Sequence, residues 1–448
     1  MTLNPMTLMP RLLALMMLAI LATSCAKNNV RPVIVKPTAS CDCAGAGAGA
    51  TATNNAAIQI PDVPKHAEEP KPTDTSKPND ITKPNDTIKV ADYGLLKLAA
   101  WDEVDGFNQD NLSQAWPAWM QGCTTLVNKP AWKPACNAAT LLNASSPKAP
   151  SSYAINTYYK KYFTPYIATN IDGTDTGLIT GYYEPILNGS RKKSAQTPYP
   201  LYTQPSDLIS AELGDIYPEL KFKRVRGRLV GNKLLPYYTR AEIEAEPSPL
   251  QGRELIWIDD IVDVFFLQIQ GSGLVQLENG EQVHVGYVDQ NGYTYNSIGR
   301  LLVERGELTL DQASMQGIKN WARNNLGKLR ELLNSNPSYV FFRELPANLP
   351  GPLGALGVPI IAQRAVAIDP KYIPLGAPVF LSTTQPNSTS PLKRLMMAQD
   401  TGGAIKGGVR ADFFWGAGNE AGKQAGAMKQ KGKIWVLLPK EFKLDKTQ

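Results

Sequence analysis

The chain has 448 residues, 43% hydrophobic and 19% charged, and 46 Lys+Arg against 40 Asp+Glu give a net charge of +6. A length of about two or three domains with a core-forming composition excludes a wholly disordered chain, a coiled coil and a collagen. Outside the extreme N-terminus no apolar stretch is long enough to span a bilayer, and the scattered basic residues do not demand nucleic acid.

Only two histidines are present, His66 and His284, and His66 falls in a linker. A multi-His zinc site is therefore excluded, and no metal or cofactor is expected. A Ser-His or Cys-His triad would have to use His284, which has no nucleophile motif beside it. If the chain is an enzyme, carboxylates supply its acid and base.

Residues 1–25 have the form of a secretion leader, with Arg11, an apolar run over 12–23 and then Ala22-Thr23-Ser24-Cys25. Small residues directly before a Cys resemble the lipobox of bacterial lipoproteins, in which Cys25 becomes the lipidated first residue. The alternative is an ordinary signal peptide with a chance Cys. In such lipoproteins Ala26 at the next position favours outer-membrane sorting. Residues 26–88 form a tether, with a Gly-Ala tract near Gly45 and a repeat of Lys-Pro-Asn-Asp at Lys77 and Lys83. This stretch has too little apolar surface to offset chain entropy.

The folded body starts near residue 89. Asp110 is placed to cap a helix with the stripe Leu112, Trp116, Trp119, Cys123 and Leu126. Cys123 and Cys136 are the only cysteines in the body, and in an exported chain they are expected to pair, the alternative being two buried thiols. Residues 178–185 and 264–269 have strand character, and 287–293 is turn-rich. A helical stretch covers 314–333 with a break near Gly327. Short strands are expected at 365–368, 379–381, 395–399, 412–414 and 434–438, which suggests a small closed barrel.

Three aspartates stand out in that last part: Asp369, Asp400 and Asp412. Asp369 precedes Pro370 and suits a turn, and Asp400 before Thr-Gly-Gly suits a loop anchor. Asp412 precedes Phe413, Phe414 and Trp415, and an aromatic wall would desolvate the carboxylate and raise its pKa towards that of a general acid. Glu184 follows Tyr182 and Tyr183, and together they could line a groove for polar rings. Asp-Thr-Gly occurs at Asp175 and Asp400, as in aspartic proteases, but the flanks lack the apolar strand and the Ser or Thr that those loops carry.

The three aspartates, with Ile373-Pro374-Leu375-Gly376 between the first two, resemble the three-aspartate barrel domain. Upstream lie Gly181-Tyr182-Tyr183-Glu184-Pro185, Gln270-Gly271-Ser272-Gly273 after Leu267-Gln268-Ile269, Tyr295-Asn296-Ser297-Ile298-Gly299, and Asn336-Pro337-Ser338-Tyr339. In this order the motifs resemble the membrane-bound lytic murein transglycosylase A family. The resemblance implies a mainly β fold with some helices, in which a double-psi β-barrel (89–187 and 344–440) holds an inserted smaller β domain (188–343). A substrate groove separates the two.

It also implies a peptidoglycan lytic exotransglycosylase, a carbon–oxygen lyase acting on polysaccharide. Such an enzyme cleaves the β-1,4 bond between N-acetylmuramic acid and N-acetylglucosamine and leaves a 1,6-anhydro end. By motif Asp412 is the acid and then the base, with Asp400 and Asp369 in support. Tyr182, Tyr183, Glu184 and Gln270–Gly273 would bind substrate. Glycan strands, an outer-membrane lipid anchor at Cys25 and cell-wall synthases or amidases are the implied partners. A hydrolytic muramidase using Asp412 and Glu184, an aspartic protease and a non-catalytic wall-binding lipoprotein are the alternatives.

Overall fold

The computed structural model describes residues 93–146, 148–220 and 225–444. The expected leader and tether, with Cys25 and His66, lie outside the described residues. Among the described residues no helix is long and apolar enough to cross a membrane.

The first strand, β1 (Leu96–Leu98), is followed by helices α1 (Leu112–Leu126), α2 (Lys133–Ala144) and α3 (Ser152–Tyr162), then β2 (Phe163–Ala168) and β3 (Gly177–Glu184). The α1 stripe Leu112, Trp116, Trp119, Cys123 and Leu126 is buried throughout. A Cys123–Cys136 disulfide joins α1 to α2 with a Cα–Cα distance of 5.3 Å. The Trp119 indole donates to the Tyr158 hydroxyl at 3.0 Å, which donates to the Ala135 carbonyl at 2.8 Å, tying α3 to both neighbours.

Asp110 does not cap α1; Asn111 holds that position without a side-chain bond. The Asp110 carboxylate instead accepts two guanidinium bonds from Arg364 at 2.7 and 3.0 Å and the Leu395 N–H at 2.8 Å. Arg364 is buried and needs a counter-charge, and that requirement outweighs a local cap.

The middle of the chain runs through β4 (Ile186–Ser190), β5 (Tyr199–Tyr202), β6 (Ile209–Ser210), β7 (Arg226–Val230), β8 (Lys233–Pro236) and α4 (Arg240–Ile243). It continues with β9 (Glu254–Ile258), α5 (Ile261–Gln270), β10 (Ser272–Leu277), β11 (Gln282–Gln290), α6 (Ile298–Glu304), α7 (Met315–Asn324), α8 (Leu326–Asn334) and β12 (Val340–Glu344). Six of these strands form a sheet in the order β12-β11-β10-β4-β9-β5, over a core that includes Leu187, Ile256, Leu267, Val285 and Phe342.

Three expectations change here. The apolar run 264–269 is helix, not strand. Asp260 caps α5 by accepting the Val262 N–H at 2.7 Å, and Gly271 stops it in the left-handed region at φ 85°. A short run buried on nearly every side has no periodicity to separate the two states. The stretch expected to be turn-rich continues β11 as far as Gln290, across an irregularity between Tyr287 and Asp289. The long helical stretch breaks at Asn325 rather than Gly327.

The C-terminal part contains β13 (Ala365–Ile368), β14 (Pro378–Thr384), β15 (Pro391–Thr401), β16 (Arg410–Ala417), α9 (Gly418–Ala427) and β17 (Lys429–Pro439). The larger sheet runs β1-β2-β17-β14-β15-β13-β16-β3, and a further β17–β3 pairing closes the last six strands into a barrel. Closure depends on the length of β17. Its first residues pair with β3 as far as Gly432, and from Lys433 it pairs with β14. A side chain at Gly432 would meet Ile179 at 2.7 Å and the Ser382 carbonyl at 3.0 Å, so the changeover needs glycine. The protein is therefore mainly β with some helices, built on a closed barrel.

Candidate active site

Cross-strand register places the acidic residues. Asp400 on β15 pairs with Ala367 on β13, which pairs with Asp412 on β16, which pairs with Thr180 on β3. Directly paired residues point to the same side of a sheet, so these four form one row. Ala367 is the small residue between the two carboxylates. With strands ~4.8 Å apart, the Asp400 and Asp412 backbones are roughly 10 Å apart. Both aspartates keep partial solvent exposure while Ala367 is buried.

Each carboxylate has a different set of partners. Asp400 accepts the Tyr182 hydroxyl at 2.9 Å on Oδ2 and the N–H groups of Ala355 and Thr401 at 3.0 and 2.9 Å on Oδ1. Asp412 accepts the Thr180 hydroxyl at 2.5 Å on Oδ1. Arg410 donates from Nη2 to Thr180 Oγ1 at 2.9 Å. The guanidinium takes a lone pair of that oxygen, so the hydroxyl hydrogen turns to Asp412. Oδ1 then acts as an acceptor, and any proton on Asp412 sits on Oδ2.

Desolvation pushes the Asp412 carboxyl up to about 6; the Thr180 bond and the Arg410 charge oppose this, and the Asp400 charge reinforces it. Burial and the two aspartates also push Tyr182 far upward, so it remains a protonated donor to Asp400. Of the three rings expected to wall Asp412, only one lies on its side of the strand. Phe414 shares the face of Asp412 and packs at a tilt against Tyr182, 5.1 Å between ring centroids. Phe413 and Trp415 alternate to the other side and enter the main core.

Asp369 anchors a loop. Its carboxylate accepts the Lys371 N–H at 3.2 Å and the Gly407 N–H at 3.0 Å. Glu184 does not line an open groove: it is 3% exposed and hydrogen-bonded to His284 Nε2. Tyr182 and Tyr183 face opposite sides of β3. Tyr183 packs on Gly422 of α9 and, with Gln270, Tyr295, Ser297 and Met315, lines a cavity of about 210 Å³. Gln270 accepts the Tyr183 N–H at 3.0 Å.

Gly271 and Gly273 play structural parts instead of facing that cavity. The first ends α5. The second is buried in β10, where a side chain would fall 2.5 Å from Leu267. Ser272 opens β10 opposite Gly286. The two Asp-Thr-Gly aspartates have separate partners, Lys433 for Asp175 at 2.8 Å and Tyr182 for Asp400. Among the described residues no group of three His, Cys, Asp or Glu could hold a metal.

Thr180, Arg410 and Ala367 escaped the sequence reasoning. Thr180 lies two residues before Tyr182, so strand alternation alone puts both on one face. Its place beside Asp412 comes from the parallel β16–β3 pairing, which local sequence does not encode.

A closed barrel beside a second β sheet is also the arrangement of a known class of proteins. Residues 178–343 match the MltA specific insert domain, and residues 364–438 match the 3D domain. Membrane-bound lytic murein transglycosylase A of Escherichia coli (strain K12) is 32% identical over 266 residues. That match covers 58% of this chain and 64% of the relative.

The monoclinic crystal structure of MltA from Neisseria gonorrhoeae superposes with a TM-score of 0.67 at 37% identity, covering 78% of this chain and 93% of that one. E. coli MltA with bound chitohexaose gives a TM-score of 0.55 at 25% identity, covering 72% and 90%. The chain belongs to the membrane-bound lytic murein transglycosylase A family.

Proposed function

We propose that this chain is a lytic transglycosylase of peptidoglycan that cleaves the β-1,4 bond between N-acetylmuramic acid and N-acetylglucosamine. The observation that carries this is the state of Asp412: its pKa is raised to about 6, Oδ1 is engaged by Thr180, and Oδ2 is left for the reacting proton. Asp412 donates that proton to the leaving glycosidic oxygen. The resulting carboxylate takes the proton of the muramoyl 6-hydroxyl as that oxygen attacks the anomeric carbon. The C–O bond to the leaving sugar breaks, a new C–O bond closes the 1,6-anhydro ring, and no water is consumed. An internal nucleophile has a high effective concentration, so one acid suffices.

Asp400, with both oxygens already accepting hydrogen bonds, serves as a fixed negative charge that favours the oxocarbenium-like transition state and adds to the upward shift of Asp412. Asp369 supports the site by holding its loop. Chitohexaose bound to the E. coli relative supports a glycan as the ligand here. A hydrolytic muramidase using Glu184 is disfavoured. Glu184 is four residues along β3 from the partner of Asp412, about 13 Å, beyond the roughly 6.5–9.5 Å of an inverting pair.

The same reading takes the barrel to be of the double-psi type, built from 89–187 and 344–440, with 188–343 as the inserted domain across the groove. It takes cleavage to be exo-acting. It places the enzyme in the periplasm as an outer-membrane lipoprotein anchored at Cys25, meeting synthases or amidases at the wall. Mass spectrometry of fragments released from purified peptidoglycan tests the chemistry. Ends one water lighter than muramidase products are expected, whereas reducing ends would make the enzyme a hydrolase.

A further inference from the structure

The row that carries Asp412 does not stop at β3. Thr180 pairs with Lys429 of β17, and Leu178 pairs with Lys431. Lys429, Lys431 and Lys433 alternate with inward residues and are all exposed. The face of the catalytic row therefore turns cationic one strand beyond Thr180. Past it lies a cavity of about 400 Å³, lined by Lys431, Lys433, Ser382, Thr176, Trp435 and the acids Glu103 and Asp105.

Its charges are only partly matched. Lys433 is paired with Asp175 at 2.8 Å, and Asp105 with Lys393 at 2.6 Å. Among the described residues neither Lys431 nor Glu103 has an ion-pair partner, and Glu103 Oε2 accepts the Ala100 N–H at 2.5 Å, so the cavity offers one cation and the second oxygen of one carboxylate.

We infer that this cavity binds a short peptide carrying free carboxylates and a free amine, attached to the sugar at the scissile bond. The inference rests on the reading that the chain cleaves peptidoglycan. With its lactyl carboxyl amide-bonded to the peptide, the glycan backbone of peptide-bearing strands is neutral, and amidase-stripped strands carry only the lactyl carboxylate, held at the sugar and short of the lysine edge. The charge of this substrate lies in the peptide on the muramoyl lactyl group. From Asp412, two strand spacings and two residues put Lys431 about 12 Å away, a span that about four extended residues cover. Lys431 meets a carboxylate, Glu103 meets the amine, Ser382 and Thr176 face the peptide groups, and Trp435 forms the apolar floor.

The test compares the full chain with Lys431→Glu on two substrates: peptide-bearing peptidoglycan, and the same glycan stripped of peptide by an amidase. On the peptide-bearing substrate KM is expected to rise about tenfold, and on bare glycan to stay within about twofold. Glu103→Gln gives a smaller shift in the same direction, and raising salt narrows the difference between substrates. Equal change on both substrates, or none on either, overturns the inference.

If the parent releases no anhydro ends from either substrate, the transglycosylase reading fails by itself. Co-sedimentation then decides the cavity separately. Preference of the parent for peptide-bearing over bare glycan, lost in Lys431→Glu, supports it, and no preference overturns it.

Discussion

Two carboxylates near strand β3 meet opposite fates. Asp412 sits beside Thr180, with one hydroxyl bond, partial exposure and a free Oδ2. Glu184 sits four residues further along, 3% exposed and closed onto His284. The first keeps one oxygen open to a partner. The second already has one and joins the barrel strand to β11 of the other sheet. Burial alone does not make a catalytic group: a reactive carboxyl must be desolvated enough to keep its proton and open enough to deliver it.

The sharpest way to break this contrast is Asp412→Asn. Anhydro-product release is expected to fall by about 10³-fold, within the usual range for loss of a general acid, in a protein that still folds. If Asp412 is the acid, parent activity also declines as pH rises through about 6, because the proton is lost there.

The same raised pKa costs stability. The folded state holds a proton that the unfolded chain releases above the ordinary carboxylate value near 3.8. Its contribution is present below that value and is lost as pH rises to 6. Above pH 6, Asp412→Asn should therefore melt higher than the parent, by an increment on the order of 2 kcal/mol. Calorimetry at pH 4 and 8 separates this gain from a general effect.

Asp400→Asn removes the like charge that helps raise the Asp412 pKa. Activity is expected to drop by about 10- to 100-fold, with the alkaline limb of the pH–rate profile moving to lower pH. Arg410→Met moves that limb the other way, because the lost cation had been lowering the Asp412 pKa. A profile unmoved in both variants would remove these neighbours from the mechanism.

Replacing Cys123 and Cys136 with Ser leaves the chemistry in place and is expected to lower stability by ~3 kcal/mol in chemical denaturation. The smallest effect belongs to Glu184→Gln, which keeps a hydrogen bond to His284 and should cost about 1 kcal/mol with little loss of turnover. A loss as large as that of Asp412→Asn would restore the two-carboxylate mechanism.

Local sequence carried the barrel strands well. Ala365–Ile368 was legible to the residue, and the other C-terminal strands were located inside their longer observed spans. Short apolar runs and Gly/Pro punctuation act over a few residues and need no partner to be recognised. The buried run of α5 was not legible in this way. Its cap at Asp260 and stop at Gly271 decide helix over strand, and both signals lie outside the apolar run.

The site shows the same division. The scarcity of histidine and the three aspartates, each in its motif, were fixed by sequence alone. Which aromatic shares the face of Asp412, which tyrosine holds Asp400, and that Glu184 is spent on His284 depended on strand pairing. Thr180 and Asp412 are 232 positions apart and meet because β16 lies parallel to β3 in one register. Sequence sets which groups can hold a proton. Only the closed barrel, by choosing neighbours across strands, set how strongly Asp412 holds its own.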